Sequence, residues 1–217
     1  MSANDTRRRF RIVLVGIVLY VVLDAVAQLL PPHYSPISQA ESDLAVGPYG
    51  FVMAANFVNR GLLSLEFIFA LIGTVKIAGD PLSRYRGGLY LLGVWAVGAL
   101  LLAVFPTDVP STPVSWHGAI HLVVAILAFL GGAFGALSIS LRMRESKSKT
   151  LRSMSRFALP IALVAVLFCL IELGGPFVTP RVAAHFGGLI ERTFLGSVLV
   201  WMASISVYAI RHPEAQT

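Results

Sequence analysis

The segment Phe105–His121 reads FPTDVPSTPVSWHGAIH and gathers one aspartate, Asp108, and two histidines four residues apart, His117 and His121. On a helix that spacing puts both imidazoles on one face, where they can bind a single Zn²⁺. His185 or His33 would supply a third ligand, and Asp108 or Glu191 would act as base on metal-bound water. Such a set would serve a metal-dependent hydrolase. Other ionisable side chains interrupt runs that are otherwise apolar: Asp24, Arg60, Glu172, Glu191 and Arg192. An Arg or Asp at the centre of a bilayer costs about 2.5–3.5 kcal/mol on insertion scales. These groups are therefore expected to pair, with Asp24, Glu172 and Glu191 set against Arg60 and Arg192. Asn56 and His121 would complete a polar pocket.

The apolar runs that must position these residues are membrane-like. The chain has 217 residues, of which 56% are hydrophobic and 13% charged. Its mean hydropathy is +0.78. A soluble domain carries about a quarter charged residues, so lipid is the expected outer solvent. The net charge of +6 does not point to nucleic acid. Its basic residues sit in short segments between apolar runs, which is the pattern of membrane orientation. The single Cys169 lies inside an apolar run and carries no redox information.

Six spans are expected, at about residues 11–30, 50–78, 88–105, 116–141, 157–175 and 187–210. The fold class is thus all-α, a polytopic bundle forming one domain over 1–217. Arg7, Arg8, Arg9 and Arg11 precede the first span, and Pro31 with Pro32 ends it. The loop HYSPISQAESDLAVGP, residues 33–48, holds Glu41 and Asp43 and no Lys or Arg. The second span places Asn56, Asn59, Arg60 and Glu66 on one side, to be turned inward. Gly131 and Gly135 form a small-xxx-small step that suits close helix packing. RMRESKSKTLRSMSR is the strongest basic segment, and the tail RHPEAQT closes on the same side. Both termini are therefore expected in the cytoplasm. On this topology Asp24, Arg60, His117, His121, Glu172, Glu191 and Arg192 fall in the outer halves of their spans.

Several of these segments carry a resemblance. SPISQAESDLAVGPYGFVMAANFVNRG, FPTD followed by WHGAIH, and GGLIER resemble the bacterial and archaeal membrane family known as domain of unknown function nine-nine-eight. The likeness covers nearly the whole chain. Its landmarks fall on Asp43, on Asp108, on His121, and on Glu191 with Arg192. The departure is QAE between Ser38 and Ser42, where Ser and Asp are expected close together. The resemblance implies a multi-pass protein of a prokaryotic cytoplasmic membrane and brings no assigned activity.

Taken together, the residues lead to an integral membrane protein that supports a larger assembly or binds a lipid-like ligand in a polar pocket near the outer leaflet. The alternative is a hydrolase acting on a lipid there, with Zn²⁺ at His117, His121 and His185. Expected partners are membrane lipids and other membrane subunits, and no nucleic acid.

Overall fold

The computed structural model describes residues 2–31, 33–109 and 112–212. Pro32 and the tail beyond His212 lie outside the described residues. Six α-helices follow in order: α1 Ala3–Leu29, α2 Gly50–Ile77, α3 Arg86–Leu102, α4 Trp116–Arg144, α5 Lys149–Val178 and α6 Pro180–Arg211. All six spans so formed are long and apolar enough to cross a membrane, and the described residues form no strand. Short 3-10 helices occupy Glu41–Ala45 and Leu82–Tyr85.

Helix limits follow local chemistry. Ser2 caps α1 through a reciprocal pair of bonds with Asp5, which satisfies donors that the first turn leaves open. Ser115 caps α4 by accepting from the Gly118 N–H at 3.1 Å. Arg142 and Arg144 close α4 where its dipole is negative. The largest departures from expectation are in α5 and α6. Helix α5 starts at Lys149, so Pro160 sits inside it rather than in its first turn. The segment expected to be a loop, PFVTPRVAAHF, is helical except at Thr179. Pro180 explains the restart, because proline suits the first helical position.

Helices α2 and α6 are the most buried of the six, and α1 and α5 the least. Trp201 of α6 meets Phe67 of α2 edge-on at 5.1 Å and donates to Ser140 of α4 at 2.9 Å. Phe194 of α6 packs on Phe129 of α4 and Trp95 of α3. Trp95 in turn donates to Ser64 of α2 at 3.0 Å. Both serines also bond the carbonyl four residues back. Each buried indole N–H thus has an acceptor, as an apolar surrounding requires.

Lipid is as apolar as a leucine side chain, so close packing must hold the helices together. The α3–α4 contact shows how. A Cβ on Gly131 would lie 2.6 Å from the Leu91 carbonyl oxygen, and one on Gly132 would lie 2.7 Å from the Trp95 ring. Gly135 faces Leu92 in the same way. The expected small-residue step therefore serves packing within the chain. Gly131→Ala should lower stability by about 1–3 kcal/mol through overpacking. Gly93→Ala has nothing within 4 Å of its new methyl, and should be neutral or slightly stabilising. Thermal unfolding of the detergent-solubilised variants checks the contrast.

Candidate functional site

Between α1 and α2 the chain forms a strap over residues 33–48. It is fastened to the start of α6. The Leu189 N–H donates to the Ile37 carbonyl at 2.9 Å. A Cβ on Gly188 would lie 2.1 Å from the Gln39 oxygen and 2.7 Å from that of Pro36, so only glycine lets the strap this close. Arg192 completes the hold. Its Nη1 lies 3.1 Å from the Pro36 carbonyl, 3.0 Å from that of Gln39 and 3.2 Å from that of Gly188. Its Nη2 donates to the Tyr34 hydroxyl, which itself donates to the Ala40 carbonyl at 2.8 Å. Burial pushes the Tyr34 phenol up to about 12, with the adjacent Arg192 guanidinium opposing the rise.

The strap carries Glu41 into the bundle, where the residue is 1% exposed. Its Oε1 accepts from the Tyr20 hydroxyl of α1. Its backbone N–H donates to Glu191 Oε2 of α6 at 2.9 Å. Its Oε2 lies 3.7 Å from Arg60 Nη1 of α2, an ion-pair distance too long for a hydrogen bond. Arg60 is also 1% exposed. Its guanidinium carbon lies 4.9 Å from the Trp95 ring centroid and 5.1 Å from that of Phe57, so two aromatic faces share its charge. Asn56 donates to the Tyr20 carbonyl at 3.3 Å. Glu41 Oε2, Arg60 Nε and Asn56 Oδ1 are buried without a hydrogen-bond partner. Burial raises the Glu41 carboxyl above its ordinary value, and the Arg60 charge pulls it back.

The expected pairing is thus corrected. Arg60 takes Glu41, a strap residue, rather than Asp24, Glu172 or Glu191. Arg192 bonds backbone carbonyls and a phenol, with Asp24 within Coulombic reach but not hydrogen-bonded to it. A guanidinium has five donors in a fork, and the strap supplies more acceptors than one carboxylate could. Asp24 accepts from Gln28 at 2.6 Å and keeps Oδ1 unpartnered. Half-buried Glu172 has no hydrogen-bond or ion-pair partner among the described residues, and lies within Coulombic reach of Glu191. The expected polar stripe of α2 also divides. Asn56 and Arg60 face this cluster, Asn59 bonds Gly16 of α1, and Glu66 pairs with Arg9 at the other end of the bundle.

A second clamp holds the start of α4. Asp108 accepts from the Ser115 hydroxyl at 2.5 Å and the Ser115 N–H at 2.9 Å. The bonds to Ser115 hold its carboxyl below the usual value. Its carboxylate lies against Gly118, where a Cβ would fall 1.9 Å from Oδ2. His121 Nδ1 lies 2.7 Å from the Phe105 carbonyl. FPTD and GAIH are therefore two halves of one contact.

The metal set is not brought together. His117 is exposed and lies against Trp116, with ring centroids 3.6 Å apart. His185 is exposed and turned to the Arg181 carbonyl. His33 is exposed too. Among the described residues no three His, Cys, Asp or Glu side chains converge as a metal site would need. Sequence reasoning missed Tyr20, Tyr34 and the inward turn of Glu41. The one signal was the QAE departure, which supplies Gln39 and Glu41.

The family described as "Protein of unknown function (DUF998)" matches residues 14–208. No curated protein and no solved structure matches the chain.

Glu191→Leu would leave the Glu41 N–H buried and unbonded, and should cost about 1–3 kcal/mol, whereas Glu191→Gln keeps an acceptor and should cost less. Thermal unfolding compares them. The Asp108 carboxyl is depressed when folded, so its contribution is complete above its ordinary value of 3.8 and is lost as pH falls through the folded value. The stability gap between wild type and Asp108→Asn should narrow on acidification below that value, and melting at stepped pH measures it.

Proposed function

The chain belongs to the DUF998 family, and we propose that it binds a lipid-like ligand with a cationic headgroup at the strapped end of its bundle. The observation that carries the reading is a surplus of carboxylates in and around an apolar span. Asp24, Glu41, Glu172 and Glu191 meet two guanidiniums, Arg60 and Arg192. Glu172 stands without a partner among the described residues, and Glu41 Oε2, 3.7 Å from Arg60, is buried without a hydrogen bond. Ionisable groups at such a depth mark binding sites or proton paths. A primary ammonium would supply N–H donors to these oxygens and a positive charge that favours their ionised form. A quaternary ammonium would supply the charge alone.

The positive-inside rule supports the orientation. Arg7, Arg8, Arg9 and Arg11 begin α1, and Arg142, Arg144, Lys147, Lys149, Arg152 and Arg156 flank the α4–α5 connection. That end lies in the cytoplasm on this reading, and the strap faces the outer leaflet of a prokaryotic cell membrane. Exposed Trp116 suits the headgroup level there. Zinc-dependent hydrolysis has less behind it, since Asp108 is engaged with Ser115 and the histidines point apart.

Native mass spectrometry with a mixture of phosphatidylethanolamine and phosphatidylcholine tests the proposal. The wild type should retain the primary-amine lipid preferentially. Glu172→Gln with Glu191→Gln should lose that preference while keeping helical content. Equal retention by the wild type, or preference surviving in the double variant, would reject it.

A further inference from the structure

At the opposite end of the bundle the α4–α5 hairpin forms a cavity of about 420 Å³ lined by Arg144, Arg152, Ser155, Arg156, Leu159, Pro160 and Leu163. Arg144 closes α4. The remaining lining residues recur at three- and four-residue steps along α5, so they share one face of that helix. The polar members come first. Leu159, Pro160 and Leu163 continue the same face toward the middle of the span.

The three arginines differ in their surroundings. Arg152 Nη1 donates to the Ser146 carbonyl at 2.9 Å and the Lys147 carbonyl at 3.0 Å. Those bonds fix its guanidinium across the turn and leave Nε and Nη2 without an acceptor among the described residues. The side chains of Arg144 and Arg156 are without hydrogen-bond or ion-pair partners among the described residues, and both residues are exposed. The acid of this turn, Glu145, is held elsewhere, by Arg142 at 3.0 Å and Arg84 at 3.4 Å. Three positive charges thus stand together with no neutralising carboxylate among the described residues. Surface arginines normally point into water and spread apart. These border a cavity whose floor is apolar and runs into the hydrocarbon depth.

We propose that this cavity binds one anionic glycerophospholipid of the leaflet at the basic end of the bundle. Its phosphate lies among Arg144, Arg152 and Arg156, and an acyl chain follows Leu159, Pro160 and Leu163. A guanidinium offers paired donors to phosphate oxygens. The apolar floor selects a lipid over a free anion, because inorganic phosphate gains nothing from it. Pro160 lacks an N–H and so does not bond the Arg156 carbonyl four residues back. That carbonyl can accept from a glycerol hydroxyl at the headgroup. The site is separate from the strapped cluster and draws on none of its residues.

The test is a lipid titration of the full chain in detergent, read by native mass spectrometry, with phosphatidylglycerol, phosphatidylcholine and inorganic phosphate as probes. Phosphatidylglycerol should bind at least about tenfold more tightly than phosphatidylcholine, since each basic residue near a charged headgroup adds attraction. Arg144→Gln with Arg156→Gln should bring the two lipids level. Neither side chain has a hydrogen-bond or ion-pair partner among the described residues, so the double variant should keep its helical fold. Leu163→Gln should weaken both lipids alike. Equal binding of the two lipids by the wild type would overturn the proposal, as would preference surviving in the arginine double variant. Displacement of phosphatidylglycerol by inorganic phosphate at equal concentration would also overturn it, since the floor would then contribute nothing.

Discussion

A guanidinium inside a bundle of apolar helices has no water to bond, so the protein must supply its acceptors. Arg192 finds its acceptors on the strap between α1 and α2, and Arg60 finds its counter-charge there, in Glu41. That demand draws a connecting segment into the core. A loop on a soluble protein would satisfy its backbone with solvent. Here the carbonyls of Pro36 and Gln39 bond an arginine of α6, and the Glu41 N–H bonds a glutamate of α6. The strap is thereby part of the fold, tying the beginning of the chain to its last helix.

The same logic explains two clusters at helix starts. Gly188, Glu191 and Arg192 form a receptor for the strap: the glycine gives room, the glutamate accepts and the arginine donates. Asp108, Gly118 and His121 form a smaller receptor for the end of the α3–α4 connection. In each, a glycine permits an approach that a methyl group would block. Side chains that could have been catalytic are thus engaged in closing one end of the bundle. What is left over, among the described residues, is a half-buried Glu172 without a partner and unbonded atoms on Glu41, Arg60 and Asn56.

The two ends of the bundle have opposite characters. Acidic groups concentrate beneath the strap, and unpaired arginines line the hairpin at the other end. A bilayer meets such a protein with headgroups at both surfaces. On the two proposals above, each end would select a different lipid charge without any change in the apolar middle. The middle itself is held by shape, through glycines of α4 against α3 and through tryptophans of α3 and α6 bonded to buried serines.

Span number and fold class were legible in the chain, because hydropathy over about 20 residues is a local property and lipid leaves few alternatives. The glycine step on α4 and the clustering of Arg60, Glu191 and Arg192 toward one end were legible for the same reason. The limits of α5 and α6 were not. Pro176 and Pro180 signalled a loop, yet the structure bends only at Thr179 and the helices resume. Glu41 was legible only as an acidic residue in a loop free of basic ones. Its burial depends on Tyr20, Arg60 and Glu191, which lie up to 150 positions away in the chain. Sequence alone determined that the polar groups must be satisfied inside the protein. Which acceptor each donor took was decided by tertiary structure, since hydrogen bonds form by distance in space and the strap's path sets those distances.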